Sequence, residues 1–335
     1  MKIHVVSETP FVIKGQGVHT AFMDHVELLR ETPDVEVVVN GEGFGDVFHS
    51  HTYGPYYFWK GRRYKGRRVF TVHVIPDSIK GSLPYWKYWL PFINRYFKKV
   101  YSYADVCIAI SPMVEEAVQK LGAKTRIVRI ANPVLLDQWK RTEERRKRGR
   151  ELLGAGPEDF LILGVGQLEG RKGVEDFLDI AEAIPEARFA WVGGRPFGVI
   201  TEGIGRLNTR IAKTTSRIKF PGLQELKTMP DIYAAGDLFL FPSYQENCPL
   251  APLEAAASGL PVIFRDIQEY RLLYEHPYLK ARDTPEFISL SRRMMEDPSF
   301  YQEGVKISQV LLQQFDKNQI RKKLISLYHE LNSRE

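Results

Sequence analysis

The segment Phe241-Pro242-Ser243-Tyr244-Gln245-Glu246-Asn247-Cys248-Pro249-Leu250-Ala251-Pro252-Leu253-Glu254-Ala255-Ala256-Ala257-Ser258-Gly259-Leu260-Pro261-Val262-Ile263 changes local structure at both ends. Leu238–Phe241 is an apolar run of strand type, Pro242-Ser243 stops it, and a polar loop then carries Glu246. Pro252 stands at the first-turn position that proline favours and opens a helix expected over residues 252–258. Strand, loop, helix and strand in this order form one unit of an open α/β sheet, and such sheets bind ligands outside the carboxyl ends of their strands. The amides of residues 247–250 can face a ligand there, and unpaired amides at a helix start suit phosphate oxygens. Glu246 and Glu254 can each accept hydrogen bonds from hydroxyls, so the chemistry of the segment points to a sugar.

Outward from this segment the alternation continues. Residues 160–164, Arg188–Val192, 218–220 and 261–264 have strand character, with helices expected over Val174–Ala183 and 227–235. The first half repeats the pattern, with strands expected at 3–6, 35–39, 69–72, 106–110 and 126–130 and helices at 20–30 and 113–121. This alternation implies parallel sheets with helices on both faces, an α/β fold of two doubly wound, Rossmann-like domains. Ala131-Asn132-Pro133 marks the division, so domains are expected over 1–137 and 138–308, followed by a helical segment over 309–335. In that last segment Ile320, Leu324, Leu327 and Leu331 recur at helical spacing. Residues 139–151, with seven basic and three acidic side chains, read as a solvated connector or helix.

At 335 residues, 44% hydrophobic and 26% charged, the chain is long enough for two cores and too apolar for disorder. No stretch reaches the ~18 unbroken apolar residues of a membrane-spanning helix. The apolar run after Met1 is too short for a signal peptide, and two cysteines, Cys107 and Cys248, make neither a disulfide framework nor a cysteine-based zinc site. A reducing, cytoplasmic compartment is therefore expected.

The net charge of +6 is local in origin. Residues 55–101 hold eleven basic side chains and one acid, Asp77, for +10, while the 36 basic and 40 acidic side chains elsewhere leave −4. On a helical wheel of residues 85–101, Lys87, Asn94, Arg95, Lys98 and Lys99 share an arc with Pro91, and Trp86, Trp89, Leu90, Ile93, Tyr96, Phe97 and Val100 fill the other. Basic and aromatic faces separated in this way characterise helices that lie in a membrane interface. A simpler reading packs the aromatic face on the sheet and leaves the lysines in water, but it does not account for Arg62, Arg63, Arg67 and Arg68 nearby. All of these cations, with Trp86 and Trp89, are expected to meet an anionic membrane surface. The base-stacking platforms and recognition helices of nucleic-acid modules are not evident, so no nucleic-acid partner is expected.

The spacing Glu246-x7-Glu254 within the Pro-Ser…Leu-Glu-Ala…Gly-x-Pro-Val frame resembles the signature of the family 4 retaining glycosyltransferases, which have the GT-B fold of two Rossmann-like domains facing across a cleft. The resemblance implies that Glu246 reads the hydroxyls of the donor sugar, that Asn247, Cys248, Pro249 and Leu250 hold the sugar and diphosphate, and that Glu254 binds the nucleotide ribose. Gly164-Val-Gly166-Gln167-Leu-Glu-Gly-Arg171-Lys172-Gly173 matches the block in which an arginine and a lysine neutralise the diphosphate. Lys172 falls on the family lysine. Gln167 replaces the arginine and removes a charge, which leaves open whether Arg171 substitutes for it. Leu223, after Phe220-Pro-Gly222, precedes the base-binding loop, and Lys14-Gly15-Gln16-Gly17 corresponds to a glycine loop at the donor, with Gly15 and Gly17 in donor contact. Ala104-Asp-Val…Ala109-Ile-Ser111-Pro and Trp191-Val-Gly193-Gly194 also match in order. Only the asparagine of Asn132-Pro-Val-Leu keeps the motif that closes the family's first half.

His73 stands where the family places a histidine at a strand end; His49 and His51 are poorer candidates, and a histidine metal site is the other way to use them. The chain has no Asp-x-Asp, the acidic pair with which other glycosyltransferases hold a divalent ion, so metal-independent transfer is expected, with no cofactor and a UDP-sugar as donor. No nucleophile presents itself, and the resemblance implies a front-face retaining mechanism. By the family comparison the C-terminal helix returns to the first domain. The N-terminal glycine loop, Gly166-Gln167 and the tryptophan-rich basic helix are similar to bacterial glycolipid synthases, which transfer glucose from UDP-glucose to diacylglycerol or glucosyl diacylglycerol. A lipid acceptor and a peripheral location on the inner face of the plasma membrane follow from that similarity. Two other readings stay open: a soluble family member building an exopolysaccharide, and a non-catalytic sugar-nucleotide-binding protein.

Overall fold

In the computed structural model of the protein, residues 1–9, 17–79, 86–194 and 204–333 are described. They form two compact units, one from the residues up to Val134 together with Phe315 onward, the other from Leu135–Gln314.

The first unit runs β1 Lys2–Val6, α1 Gly17–Arg30, β2 Glu36–Val39, β3 Val47–Ser50, α2 Pro55–Arg62, β4 Arg67–Val72, α3 Trp86–Ser102, β5 Val106–Ala109, α4 Pro112–Lys120 and β6 Arg126–Arg129. Its strands pair in parallel in the order β2-β1-β3-β4-β5-β6. Ile3, Val5, Val47, Val69, Val106 and Ile108 meet Phe22, Val26 and Leu29 of α1 in one core. Chain order doubles back between β1 and β3, so the loops after these strands leave the sheet at its switch point.

The second unit runs α5 Leu136–Trp139, α6 Glu143–Leu153, β7 Leu161–Val165, α7 Val174–Ala183, β8 Arg188–Val192, α8 Ile204–Ala212, β9 Ile218–Gly222, α9 Met229–Ala235, β10 Leu238–Phe241, α10 Ala251–Ala257, β11 Val262–Arg265, α11 Gln268–Leu273, β12 Leu279–Ala281, α12 Thr284–Glu296 and α13 Pro298–Leu311. Its parallel order is β12-β11-β10-β7-β8-β9, with the switch point between β7 and β10. Ile162, Phe177, Phe189, Trp191, Leu238 and Ile263 centre the core. The last helix, α14 Lys317–Asn332, belongs to the first unit and buries Ile320, Leu324, Leu327, Tyr328 and Leu331 in its core.

Three expectations change. The strands β3 and β12 were not foreseen. The 139–151 stretch contains the expected helix, but only some of its cations are solvated: Lys140, Lys147 and Arg148 are exposed, whereas Arg146 and Arg150 donate to Asp237 at 2.9 and 2.6 Å, and Arg146 also reaches the carbonyls of Ala235 and Gly236. The basic residues of α6 thus satisfy the open carbonyls at the end of α9. Gly149 lets the two helices touch, since a Cβ there would lie 1.9 Å from the Asp231 carbonyl. In α3, which runs through Pro91, aromatic residues occupy both faces: Phe97 and Val100 are buried, whereas Tyr88 (77% exposed), Phe92 (71%) and Trp89 (59%) face solvent. The clean separation expected from the wheel does not hold, because only part of the aromatic arc is needed to cover the sheet.

Candidate active site

The switch point of the second sheet gathers the two motif blocks. After β7 the chain turns through Gly166–Glu169 and a 3-10 turn, Gly170–Lys172, to Gly173 at φ +71°; after β10 it passes through Pro242 to Leu250. Gly173 serves both its own turn and the neighbouring loop, because a Cβ would lie 2.2 Å from the Pro242 carbonyl. The two loops are stitched together. The Tyr244 amide and the Ser243 hydroxyl donate to the Arg171 carbonyl at 2.8 and 3.2 Å, and the Arg171 guanidinium donates to Gln245 O at 3.4 Å and to Glu169 at 2.8 Å.

This stitching places Lys172 against Glu246, and the ammonium donates to Glu246 Oε1, which also accepts from the Ser243 hydroxyl at 2.6 Å. Both side chains are largely buried. Burial pushes the Glu246 carboxyl up, but Lys172, Arg171 and the Ser243 hydroxyl outweigh it and hold the group below its ordinary range. Burial draws the Lys172 ammonium down, and Glu246 opposes that shift. Each charge neutralises the other where either alone would be costly.

Glu254 lies one turn into α10, buried, and accepts from the Tyr233 hydroxyl of α9 at 2.6 Å. Leu250 precedes α10 and offers no side-chain cap, and Pro252 sits in its first turn. Cys248 and Leu250 are buried and Asn247 partly so, while Gln167 lies in the loop after β7, partly exposed. Leu223, half exposed, follows Gly222 at the end of β9 and packs beside Gly194 at the end of β8. The second-unit residues singled out in the sequence therefore gather at the carboxyl edge of one sheet. Ser243, Tyr233, Glu169, Arg265, Asp176 and Tyr244 join them there without having been foreseen. Ser243 and Tyr244 lay inside the quoted segment and Glu169 inside the 164–173 block, but none was assigned a role there; Tyr233, Arg265 and Asp176 gave no local signal.

In the first unit, His73 follows β4 and is buried, its Nε2 2.9 Å from Nδ1 of His51. His49 uses both ring nitrogens, Nδ1 with the Tyr328 hydroxyl at 2.5 Å and Nε2 with Thr71 at 2.6 Å, and His25 shares the same tyrosine at 3.2 Å. Burial holds His25 and His73 at about 3 and draws His49 and His51 well down, so all four rings are neutral at pH 7. Ligand atoms of His25, His49 and His51 lie within 4.8 Å of one another, near enough to consider a metal ion. His49, however, already engages both of its ring nitrogens in hydrogen bonds. Gly17 begins α1, and a Cβ there would meet no described protein atom within 4 Å. Gly15 and the Trp86 side chain lie outside the described residues.

The basic segment forms a surface of its own. Tyr88, Phe92, Arg95 and Lys99 follow one exposed line along α3, flanked by exposed Lys87 and Lys98. On α2 the Arg62 guanidinium stacks between the Trp59 and Tyr103 rings at 4.7 and 4.6 Å, beside exposed Arg63. Arg67 and Arg68 begin β4, where Arg68 pairs with Asp105 at 3.2 Å. Among the described residues no helix is long and apolar enough to cross a membrane.

Two nucleotide-type sheets with an acid, a lysine and a phosphate-ready loop at one switch point define a GT-B glycosyltransferase. Residues 159–297 match the family model "Glycosyl transferases group 1" and residues 45–138 match "Glycosyltransferase Family 4". The chain is 33% identical to the alpha-galactosylglucosyldiacylglycerol synthase of Streptococcus pneumoniae, over 83% of this chain and 76% of that protein. It is 25% identical to the processive diacylglycerol alpha-glucosyltransferase of Acholeplasma laidlawii, over 92% and 93%. Among solved structures, Anabaena HepE in complex with UDP and glucose superposes with a TM-score of 0.77 at 18% identity, over 98% of this chain and all of that one. The protein belongs to the family 4 glycosyltransferases.

Proposed function

We propose that the protein is a retaining, metal-independent hexosyltransferase that moves a hexose, glucose or galactose, from a UDP-sugar to a lipid acceptor such as diacylglycerol or glucosyl diacylglycerol at an anionic membrane surface. The observation that carries this reading is the Lys172–Glu246–Ser243 cluster at the switch point, in a chain whose relatives are named for glycosylating diacylglycerol lipids. Glu246 accepts from sugar hydroxyls, the amides of Asn247, Cys248 and Leu250 and the turn at Pro249 receive the diphosphate, and Glu254 takes the ribose. Lys172 passes from Glu246 to the leaving diphosphate, with Arg171 beside it in place of the arginine that Gln167 lacks. The negative charge that develops on that group is stabilised electrostatically. Leu223 lies along the base. Gly15 and Gly17 take part in donor binding, and His73, which is neutral, takes part in catalysis. The absence of Asp-x-Asp from the sequence supports a reaction without a divalent ion.

The line Tyr88-Phe92-Arg95-Lys99 supports membrane docking, because aromatic rings and cations on one exposed helix face suit the headgroup layer. Such docking would place the protein on the inner face of the plasma membrane. The test of the mechanism is the anomeric configuration of the glycolipid made in the presence of EDTA. An α-linked product at an undiminished rate is expected; a β-linked product, or loss of rate restored by magnesium or manganese, would contradict the reading.

A further inference from the structure

Arg265 ends β11 beside the last residues of β10, with Phe264 paired to Phe241 in the sheet. Its side chain is 6% exposed. Nε donates to the Pro242 carbonyl at 2.8 Å, Nη2 lies 3.1 Å from Asp176 Oδ1, and the guanidinium covers the Tyr244 ring at 3.9 Å. Asp176, in the first turn of α7, also accepts from the Tyr244 hydroxyl at 3.0 Å and from the Thr284 hydroxyl at 3.0 Å. A buried arginine–aspartate pair contributes little to stability compared with an apolar pair of the same volume. An apolar pair, however, can neither bond a carbonyl nor hold a ring face. Pro242 and Tyr244 flank Ser243, the residue that donates to Glu246, and the Pro242 carbonyl lies so close to Gly173 that no side chain fits there.

We propose that Arg265, with Asp176 and Tyr244, positions the loop that presents Glu246 to the donor sugar. The guanidinium fixes the loop's first carbonyl and its one exposed ring together, and so fixes the direction in which Ser243 and Glu246 point. Arg265 touches no substrate in this account; it acts through the loop. Lysine can replace one of its bonds but not the planar cover over Tyr244. The proposal rests on the reading that Glu246 takes the sugar hydroxyls.

The test compares Arg265→Met, Arg265→Lys, Tyr244→Ala and Glu246→Gln in transfer from UDP-glucose to diacylglycerol or glucosyl diacylglycerol, with UDP affinity measured by calorimetry and folding by circular dichroism. Arg265→Met is expected to lower kcat at least tenfold while the UDP dissociation constant changes less than threefold, and Arg265→Lys is expected to recover part of the loss. A merely structural role would lower all parameters in proportion to the folded fraction. Should Arg265→Met fail to fold, Tyr244→Ala, at a half-exposed position, gives the same reading. Folded Arg265→Met or Tyr244→Ala protein with kcat and donor KM within twofold of wild type overturns the proposal. If Glu246→Gln also retains the full rate, the underlying assignment of Glu246 falls and the proposal falls with it. If Glu246→Gln is inactive while the other variants are not, the positioning role alone fails.

Discussion

Lys172 and Glu246 stand 74 positions apart and meet only because the loops after the neighbouring strands β7 and β10 leave one sheet edge. Removing one member strands the other: Lys172→Met should destabilise the unliganded protein by about 3–5 kcal/mol, and the double variant Lys172→Met/Glu246→Gln should recover much of that loss. Urea denaturation of the three proteins checks this; a double variant less stable than Lys172→Met would contradict it. The histidines of the first unit give a second residue-scale prediction. Burial lowers the folded pKa of His25 and His73 to about 3, against 6.5 when unfolded, so the unfolded chain binds more protons between these values. Stability that is fully present above about pH 6.5 should be lost progressively as pH falls toward 3. In NMR spectra the imidazole resonances of His25 and His73 should not titrate between pH 8 and pH 5, whereas ordinary titration near 6.5 would show that the rings are solvated.

At the scale of elements, the line along α3 carries the membrane contact. Replacing Lys87, Arg95, Lys98 and Lys99 with glutamine should weaken partitioning onto anionic vesicles by about 4 kcal/mol, roughly a thousandfold, at ~1 kcal/mol per cation. All four are exposed, so donor affinity and melting temperature should not change; vesicle binding of wild-type strength would remove this face from the account. The packing of α6 on α9 makes the opposite kind of prediction. Gly149→Ala forces a Cβ against the Asp231 carbonyl and should cost about 1–3 kcal/mol, visible in thermal unfolding with no effect on membrane binding. Elements of this kind differ in how plainly a sequence shows them. The apolar strands Arg188–Val192 and Leu238–Phe241 were legible to the residue. β3, reading Val-Phe-His-Ser, was not, because two of its four residues are polar, His49 being buried through Tyr328 and Thr71 on other elements and Ser50 through the Thr52 carbonyl. β12, reading Leu-Lys-Ala, is a three-residue edge strand with no periodicity to detect. The site divides in the same way. Glu246 and Glu254 show themselves by spacing within one frame, whereas Tyr233, Asp176 and Arg265 meet the loop through the fold and carry no pattern of their own.

At the scale of the molecule, each unit has its own sheet and core, and the chain's last helix completes the first of them. Leu324→Ala in α14 should cost about 2–5 kcal/mol, measured as a shift in the urea midpoint of the first unit. The net charge of +6 also resolves at this scale, into +10 over residues 55–101 and −4 over the remainder. The central claim is transfer of a hexose to a membrane lipid through Glu246. Its most direct measurement offers radiolabelled UDP-glucose or UDP-galactose with diacylglycerol or glucosyl diacylglycerol in anionic mixed micelles containing EDTA, to wild-type protein and to Glu246→Gln. The account predicts labelled glycolipid from the wild type and a rate reduced at least a hundredfold in the variant; no labelled lipid from the wild type with either acceptor, or equal rates from the two proteins, would contradict it.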